Sequence, residues 1–239
     1  AVYKSPDGGQ HWLPHNVGLK EHVSFINEFV FDSTNNEQIY IATTVGAFST
    51  KDGGREWEER MAGMKEVHIV VSIAIHPTNP RILYAGTTGG VYRSEDGAVS
   101  WKKINTGLIP DSELMAAMAL GVNAIAIDPV TPNIVYAGTT KGLFRTANSG
   151  NTWERIGEGL KDPFVSSMLI DPRQPAQLYI GGPGGVWKSL DSGKTWQAMN
   201  AGLTSLNIRS LAMSPKNPQD LFVGTNGSGL YHSTDGGTS

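Results

Sequence analysis

The chain has 239 residues, 39% of them hydrophobic and 17% charged, with 29 glycines, no cysteine and a formal net charge of −3. This balance excludes a global basic field for nucleic acid or an anionic membrane, and it excludes disulfides, thiolate metal ligands and a cysteine nucleophile. No apolar run approaches the ~18 residues of a membrane-spanning helix, and the glycine content fits many short strands joined by tight turns.

Residues 1 to 20 hold two strands: Val2 to Ser5, then the turn Pro6-Asp7-Gly8-Gly9, then a return strand from Trp12 that closes at Gly18-Leu19. A full unit of four strands begins at Phe25, with Phe29-Val30-Phe31, Ile39-Tyr40-Ile41-Ala42, Phe48-Ser49-Thr50 and the strand from Trp57 to Met61. The next unit repeats each landmark at Ile73-Ala74-Ile75, Ile82-Leu83-Tyr84, Val91-Tyr92-Arg93 and Trp101. A third runs through Ile125, Tyr136, Phe144 and Trp153, and a fourth through Leu169, Tyr179, Trp187 and Trp196. A last unit has Leu211-Ala212-Met213, Leu221-Phe222-Val223 and Leu230-Tyr231. The landmark tryptophans Trp12, Trp57, Trp101, Trp153 and Trp196 lie 45, 44, 52 and 43 residues apart. A period of this size built from four strands reads as a β-propeller blade, one antiparallel sheet that buries its faces against its neighbours.

Each unit carries the same turn. Its copies are Ser5-Pro6-Asp7-Gly8-Gly9, Thr50-Lys51-Asp52-Gly53-Gly54, Ser94-Glu95-Asp96-Gly97, Thr146-Ala147-Asn148-Ser149-Gly150, Ser189-Leu190-Asp191-Ser192-Gly193 and Ser233-Thr234-Asp235-Gly236-Gly237. An Asp accepts backbone N–H groups of its own turn, a Ser or Thr two positions earlier adds a local bond, and the next residues supply positive φ. The Trp that follows gives each blade a large buried anchor. The basic residue beside the turn, Lys4, Arg93, Arg145, Lys188 or His232, reads as a solvated face, and the second-strand aromatic Tyr40, Tyr84, Tyr136, Tyr179 or Phe222 as packing between blades.

The turn resembles the Asp-box, or BNR repeat, whose consensus is close to Ser-x-Asp-x-Gly-x-Thr-Trp, and the resemblance covers the whole chain. It implies an all-β β-propeller of four-stranded antiparallel blades, a family that includes sialidases, xyloglucanase-type glycoside hydrolases, sortilin-type receptors and photosystem II assembly factors. Asn148 replaces the Asp in one copy, and the sixth copy reaches the end of the chain before its Trp. Because they recur in every blade, Asp7, Asp52, Asp96, Asn148, Asp191 and Asp235 are expected to be structural, together with Trp12, Trp57, Trp101, Trp153 and Trp196. The strands make four complete blades with partial N- and C-terminal ones: five blades if the ring closes on itself, six or seven if the chain is a fragment. Residues 1–239 are expected to be one propeller domain. A start at Ala1 fits a cleaved precursor and a trimmed chain equally.

Function is sought where the repeat is broken. The loops leading into the innermost strands and those between the second and third strands share the face around the channel mouth, where ligands bind in propellers. There Asn27, Asn123 and Arg209 interrupt small or apolar positions, and Glu28 replaces the Ser or Ala of other blades. His22, His68 and Lys141 lie on the same loops. The 52-residue spacing reflects an insertion at 109–122, whose Leu114, Met115, Met118 and Leu120 suit a short helix capped by Asp111 or Ser112. Glu113, Met115 and Met118 are its binding candidates: the insertion reads as a lid on the ring or as an adaptable patch for a partner. Of eight Arg residues only Arg209 falls at the channel, which disfavours a sialidase site, and the facing pair of propellers implied by xyloglucanases needs a second ring. His22 and His68 lack a third ligand, so no metal and no cofactor is assigned, and no catalytic residue. Two readings follow: a non-enzymatic scaffold outside the cytoplasm that binds a protein, or a carbohydrate-binding or glycoside hydrolase-related propeller.

Overall fold

The computed structural model describes residues 1–19, 23, 25–65, 67–108, 120–160 and 164–239, and all regular structure among them is strand. The chain forms two compact units, Ala1–Ile104 and Asn105–Ser239. The fold is that of a β-propeller, built from four-stranded antiparallel blades with partial ones at either end.

In the first unit β1 (Tyr3–Lys4) pairs with β2 (Leu13–Pro14) as a two-stranded sheet. A four-stranded blade follows, β3 (Ile26–Asp32), β4 (Asn35–Thr43), β5 (Gly46–Thr50) and β6 (Glu58–Glu59). A second comprises β7 (Val70–Ile75), β8 (Leu83–Thr87), β9 (Gly90–Ser94) and β10 (Lys102–Lys103). The second unit holds β11 (Val122–Ile127), β12 (Val135–Thr139), β13 (Gly142–Thr146) and β14 (Glu154–Ile156). It continues with β15 (Ser167–Ile170), β16 (Leu178–Gly182), β17 (Gly185–Ser189) and β18 (Gln197–Ala198), then the three strands β19 (Ile208–Met213), β20 (Leu221–Thr225) and β21 (Leu230–Ser233).

The second and third strands of each complete blade are buried almost throughout, as their β-branched and aromatic residues require. Their hairpin is closed the same way each time: Thr43, Thr87 and Thr139 donate through Oγ1 to the carbonyls of Gly46, Gly90 and Gly142 at 2.7–2.8 Å.

The recurring turn is an autonomous hydrogen-bonded knot. The Ser or Thr hydroxyl donates to the following carboxylate, from Thr50 to Asp52 at 2.6 Å and from Ser189 to Asp191 at 2.8 Å. The same hydroxyl accepts the N–H four residues on, from Gly54 and Gly193. The carboxylate accepts the N–H of Glu56 or Thr195, and Thr195 adds its hydroxyl at 2.6 Å. Asn148 reproduces the pattern, bonding the Thr146 hydroxyl and the Thr152 N–H. Two consecutive residues after the acid take positive φ, and Ala98, Ser149 and Ser192 do so without being glycine.

Blades join through the turn's Trp. Trp57 donates its N–H to Val17 O and its indole N–H to His15 O, and Trp101 repeats both bonds to Ala62 O and Arg60 O, at 2.9–3.0 Å. Trp153 donates its N–H to Thr106 O in the same way. At each of these joints a glycine of the preceding blade faces the Trp backbone: a Cβ on Gly18, Gly63 or Gly107 would stand 2.0–2.1 Å from the carbonyl oxygen of Trp57, Trp101 or Trp153. These three tryptophans are 3–5% exposed.

Two expectations are corrected here. Trp12 is no buried anchor but 61% exposed, because among the described residues no strand precedes it to supply the acceptors that hold Trp57 and Trp101. The basic position is no solvated face. It stands directly across from the second-strand aromatic, and the ring draws the cation onto itself. Lys188 Nζ lies 5.1 Å from the Tyr179 ring centre, the Arg93 guanidinium 5.9 Å from that of Tyr84, and His232 stacks on Phe222 at 4.4 Å. Lys4 and Lys188 then reach the next turn, donating to Gly53 O and Gly236 O.

Candidate functional site

The innermost strand of a blade has one edge paired with its neighbour and one edge bare, and bare backbone groups need partners. The irregular polar residues supply them. In β3, β7, β11 and β19 the ladder shifts by one residue, and the residues at the shift are Asn27, Val71, Asn123 and Arg209. A bulge turns its side chain out of the normal alternation. Thus Asn27 Nδ2 donates to Val70 O at 2.7 Å and Asn123 Nδ2 to Val165 O at 3.0 Å, each on the next blade, and Ser166 Oγ does the same to Ile208 O at 2.7 Å.

The following position makes a second link of opposite sense. Ser167 Oγ accepts the Leu211 N–H at 3.0 Å, and Glu28 Oε2 accepts that of Ile73 at 2.8 Å. Glu28 therefore does with a longer side chain what a serine does elsewhere. Burial pushes its carboxyl up to about 7, against the opposing effect of the Ile73 N–H.

The other candidates divide plainly. Arg209, at the same bulge position, is exposed and makes no such link among the described residues. His68 and Lys141 are exposed on their loops. His22, Glu113, Met115, Met118 and residues 109–119 of the insertion lie outside the described residues. Among the described residues no three His, Asp or Glu side chains gather into a metal site. Within the first unit Asn27 and Glu28 are adjacent on β3, and within the second Asn123 and Arg209 occupy the same position on different blades.

The turn acids are engaged locally. Asp191 is held down to about 2 by the Thr195 hydroxyl and N–H and by Ser189, and Asp235 is lowered by Ser239 in the same way. Bonds from Thr50 and then from the Glu56 N–H lower Asp52.

Two features escaped the sequence reading. One is apolar exposure on the loops that lead into the inner strands, where Phe25 is 67%, Leu206 42% and Ile69 36% exposed. Loop position and residue type were both visible in the sequence, but burial was not. The other is Trp196, which donates its indole N–H to Gly193 O of its own turn, while Gly159 meets nothing within 4 Å. A groove of about 610 Å³ opens there, lined by Arg155, Glu158, Leu160 and Lys194.

No protein-family model matches the chain, and no curated protein matches it. Solved β-propellers do. A GH74 enzyme from Niastella koreensis aligns with a TM-score of 0.77 at 16% identity, over 99% of this chain and 41% of that one. A structure described as YCF48 bound to D1 peptide aligns at 0.69 and 19% identity, over 99% and 72%. The extracellular domain of the putative one component system BT4673 from B. thetaiotaomicron aligns at 0.64 and 18%, over 83% and 26%. The chain thus spans less than half the length of the GH74 and BT4673 chains, and at these identities the likeness establishes the propeller fold alone.

Proposed function

We propose that this chain is a non-enzymatic interaction scaffold of Asp-box (BNR) type, a single propeller domain acting outside the cytoplasm. It binds a protein partner through the loops leading into the inner strands and through the 109–122 insertion. The observation that carries the reading is the exposure of Phe25, Ile69 and Leu206 on those loops, beside exposed His68 and Arg209. Exposed aromatic and aliphatic groups interspersed with Arg suit a protein surface. The inner-strand polar groups that a reaction would need, those of Asn27, Glu28 and Asn123, are meanwhile committed to neighbouring backbone. The description of one similar propeller as bound to a peptide, and of another as an extracellular domain, supports partner class and location.

Affinity capture with the intact chain should recover one stoichiometric protein, lost on deletion of residues 111–120 and weakened at least tenfold by Phe25→Ser with Leu206→Ser. Capture that ignores both changes refutes the reading. A carbohydrate-binding function is the alternative, supported by the likeness to GH74 enzymes. Saccharide binding on a glycan array, abolished by Arg209→Ala or Glu28→Ala, would establish it in place of the scaffold.

A further inference from the structure

The second unit holds an apolar cavity of about 120 Å³, lined by Met199, Gly202, Leu203, Leu221, Tyr231 and Gly237 among others. A cavity of roughly 150 Å³ with similar walls accepts benzene, so the space suits an aromatic ring. The repeat gives the geometry of a ring in such a place. Gly237 corresponds to Gly54 and Gly193, and a Cβ on either of those would meet Cζ2 of Trp57 or Trp196 at 3.4 Å. Met199 corresponds to His15 and Arg60, whose carbonyls accept the indole N–H of Trp57 and Trp101. Ala201 corresponds to Val17, Ala62 and Thr106, whose carbonyls accept the N–H of Trp57, Trp101 and Trp153. The carbonyls of Met199 and Ala201 accept no hydrogen bond among the described residues. Beside the cavity runs the outer edge of β21, which in the complete blades is the edge that pairs with a fourth strand. Leu230 on β21 is 70% exposed.

We infer that this is a docking site for an extended peptide segment led by tryptophan. The segment adds as a fourth strand to β21, its indole fills the cavity, and its leading N–H groups bond Met199 O and Ala201 O. The occupant's chemistry is fixed by the internal joints, which place the same ring, the same two donors and the same strand against equivalent walls. The site is separate from the loops of the proposed scaffold function and does not depend on that reading.

A fluorescein-labelled peptide with the chain's own sequence 151–160, led by Asn-Thr-Trp, tests it by fluorescence anisotropy with the intact protein. Saturable binding is expected, and replacing the peptide's Trp by Ala should weaken it by roughly 10- to 100-fold, as for a buried aromatic anchor. In the protein, Gly202→Ala should abolish binding. Its Cβ meets nothing within 4 Å in the free chain, yet the equivalent Cβ on Gly63 or Gly107 would press a docked Trp carbonyl at 2.0–2.1 Å. Met199→Phe, which fills the cavity from within, is a second blocking variant should Gly202→Ala disturb the fold. Absence of binding, equal binding of the Trp→Ala peptide, or binding indifferent to both protein variants overturns the inference. So does a concentration-dependent dimer lost on Trp12→Ala, which would make a second copy the occupant.

Discussion

Replacing Gly63 by Ala tests the blade joint where it is tightest. Gly63 has φ +93°, and an added Cβ would stand 2.0 Å from Trp101 O, 3.0 Å from its carbonyl carbon and 3.2 Å from its nitrogen. No rotamer relieves a clash between a Cβ and backbone, so one blade must move away from the other. The left-handed backbone costs about 1–2 kcal/mol for Ala. Separation loses the bonds from Trp101 N–H to Ala62 O and from its indole to Arg60 O, and leaves a largely buried indole without its acceptor, adding about 2–4 kcal/mol. Gly159→Ala is the internal control, since Gly159 has φ +88° and meets nothing within 4 Å. It should cost about 1–2 kcal/mol and no more. Urea unfolding followed by tryptophan emission, with Trp101 shifting red only in Gly63→Ala, separates the two. If they cost the same within ~0.5 kcal/mol, the Trp–Gly contact does not lock the blades and the reasoning fails.

Asn27→Ala and Asn123→Ala each remove one donor to a carbonyl on the next blade and should each cost about 1–2 kcal/mol by urea unfolding, the effects adding in the double variant. Asp191, held down to about 2, contributes stability to its turn that is present above the ordinary carboxylate range and lost as pH falls through about 2. The Thr195 amide proton should therefore titrate in that acid range by NMR, whereas the Thr152 amide, bonded to uncharged Asn148, should not. The Glu28 carboxyl is raised from its ordinary value of 4.5 to about 7, so its contribution is intact below pH ~4.5 and is lost as pH rises through 7. Measured against Glu28→Gln, which retains an acceptor for Ile73, wild-type unfolding free energy should drop over that window by at most about 3 kcal/mol at 1.36 kcal/mol per unit. A flat difference would show that the carboxyl is well solvated.

The period of the repeat carries so much of the fold because each landmark has a local physical cause. The acid, the hydroxyl two residues before it and the positive-φ residues after it close the turn without outside help, so residues 189–196 announce their own geometry. Register was legible too, since Tyr179 and Lys188 recur at fixed spacing and prove to be directly paired. What those pairs do was not legible. A lysine beside a polar turn looks solvated until the strand across from it is known to present a ring. The burial of Trp12 was misjudged for a related reason: the environment of a motif Trp is made by the preceding blade, about forty residues away in sequence, and not by its own turn. The inner-strand candidates show the same limit. Asn27 and Asn123 were recognisable as breaks in an apolar pattern, but a break that faces solvent and one that satisfies a neighbour's carbonyl leave the same mark in sequence.

That last ambiguity changes where an activity should be sought on this propeller. A bare inner edge offers backbone N–H and C=O groups all along the bore, and each must find a partner, so polar residues are selected there whether or not a ligand ever enters. Asn27, Glu28, Asn123, Ser166 and Ser167 all meet that demand. Glu28 alone does so with a side chain that costs more to bury than the task requires, because Ser167 performs the same service uncharged. Its persistence as a carboxyl at that site is the one part of the inner surface that edge satisfaction does not explain. If Glu28→Ser proves more stable at neutral pH while partner or saccharide binding falls, the carboxyl serves recognition; if it is more stable and binding is unchanged, function lies wholly in the loops and at the β21 edge.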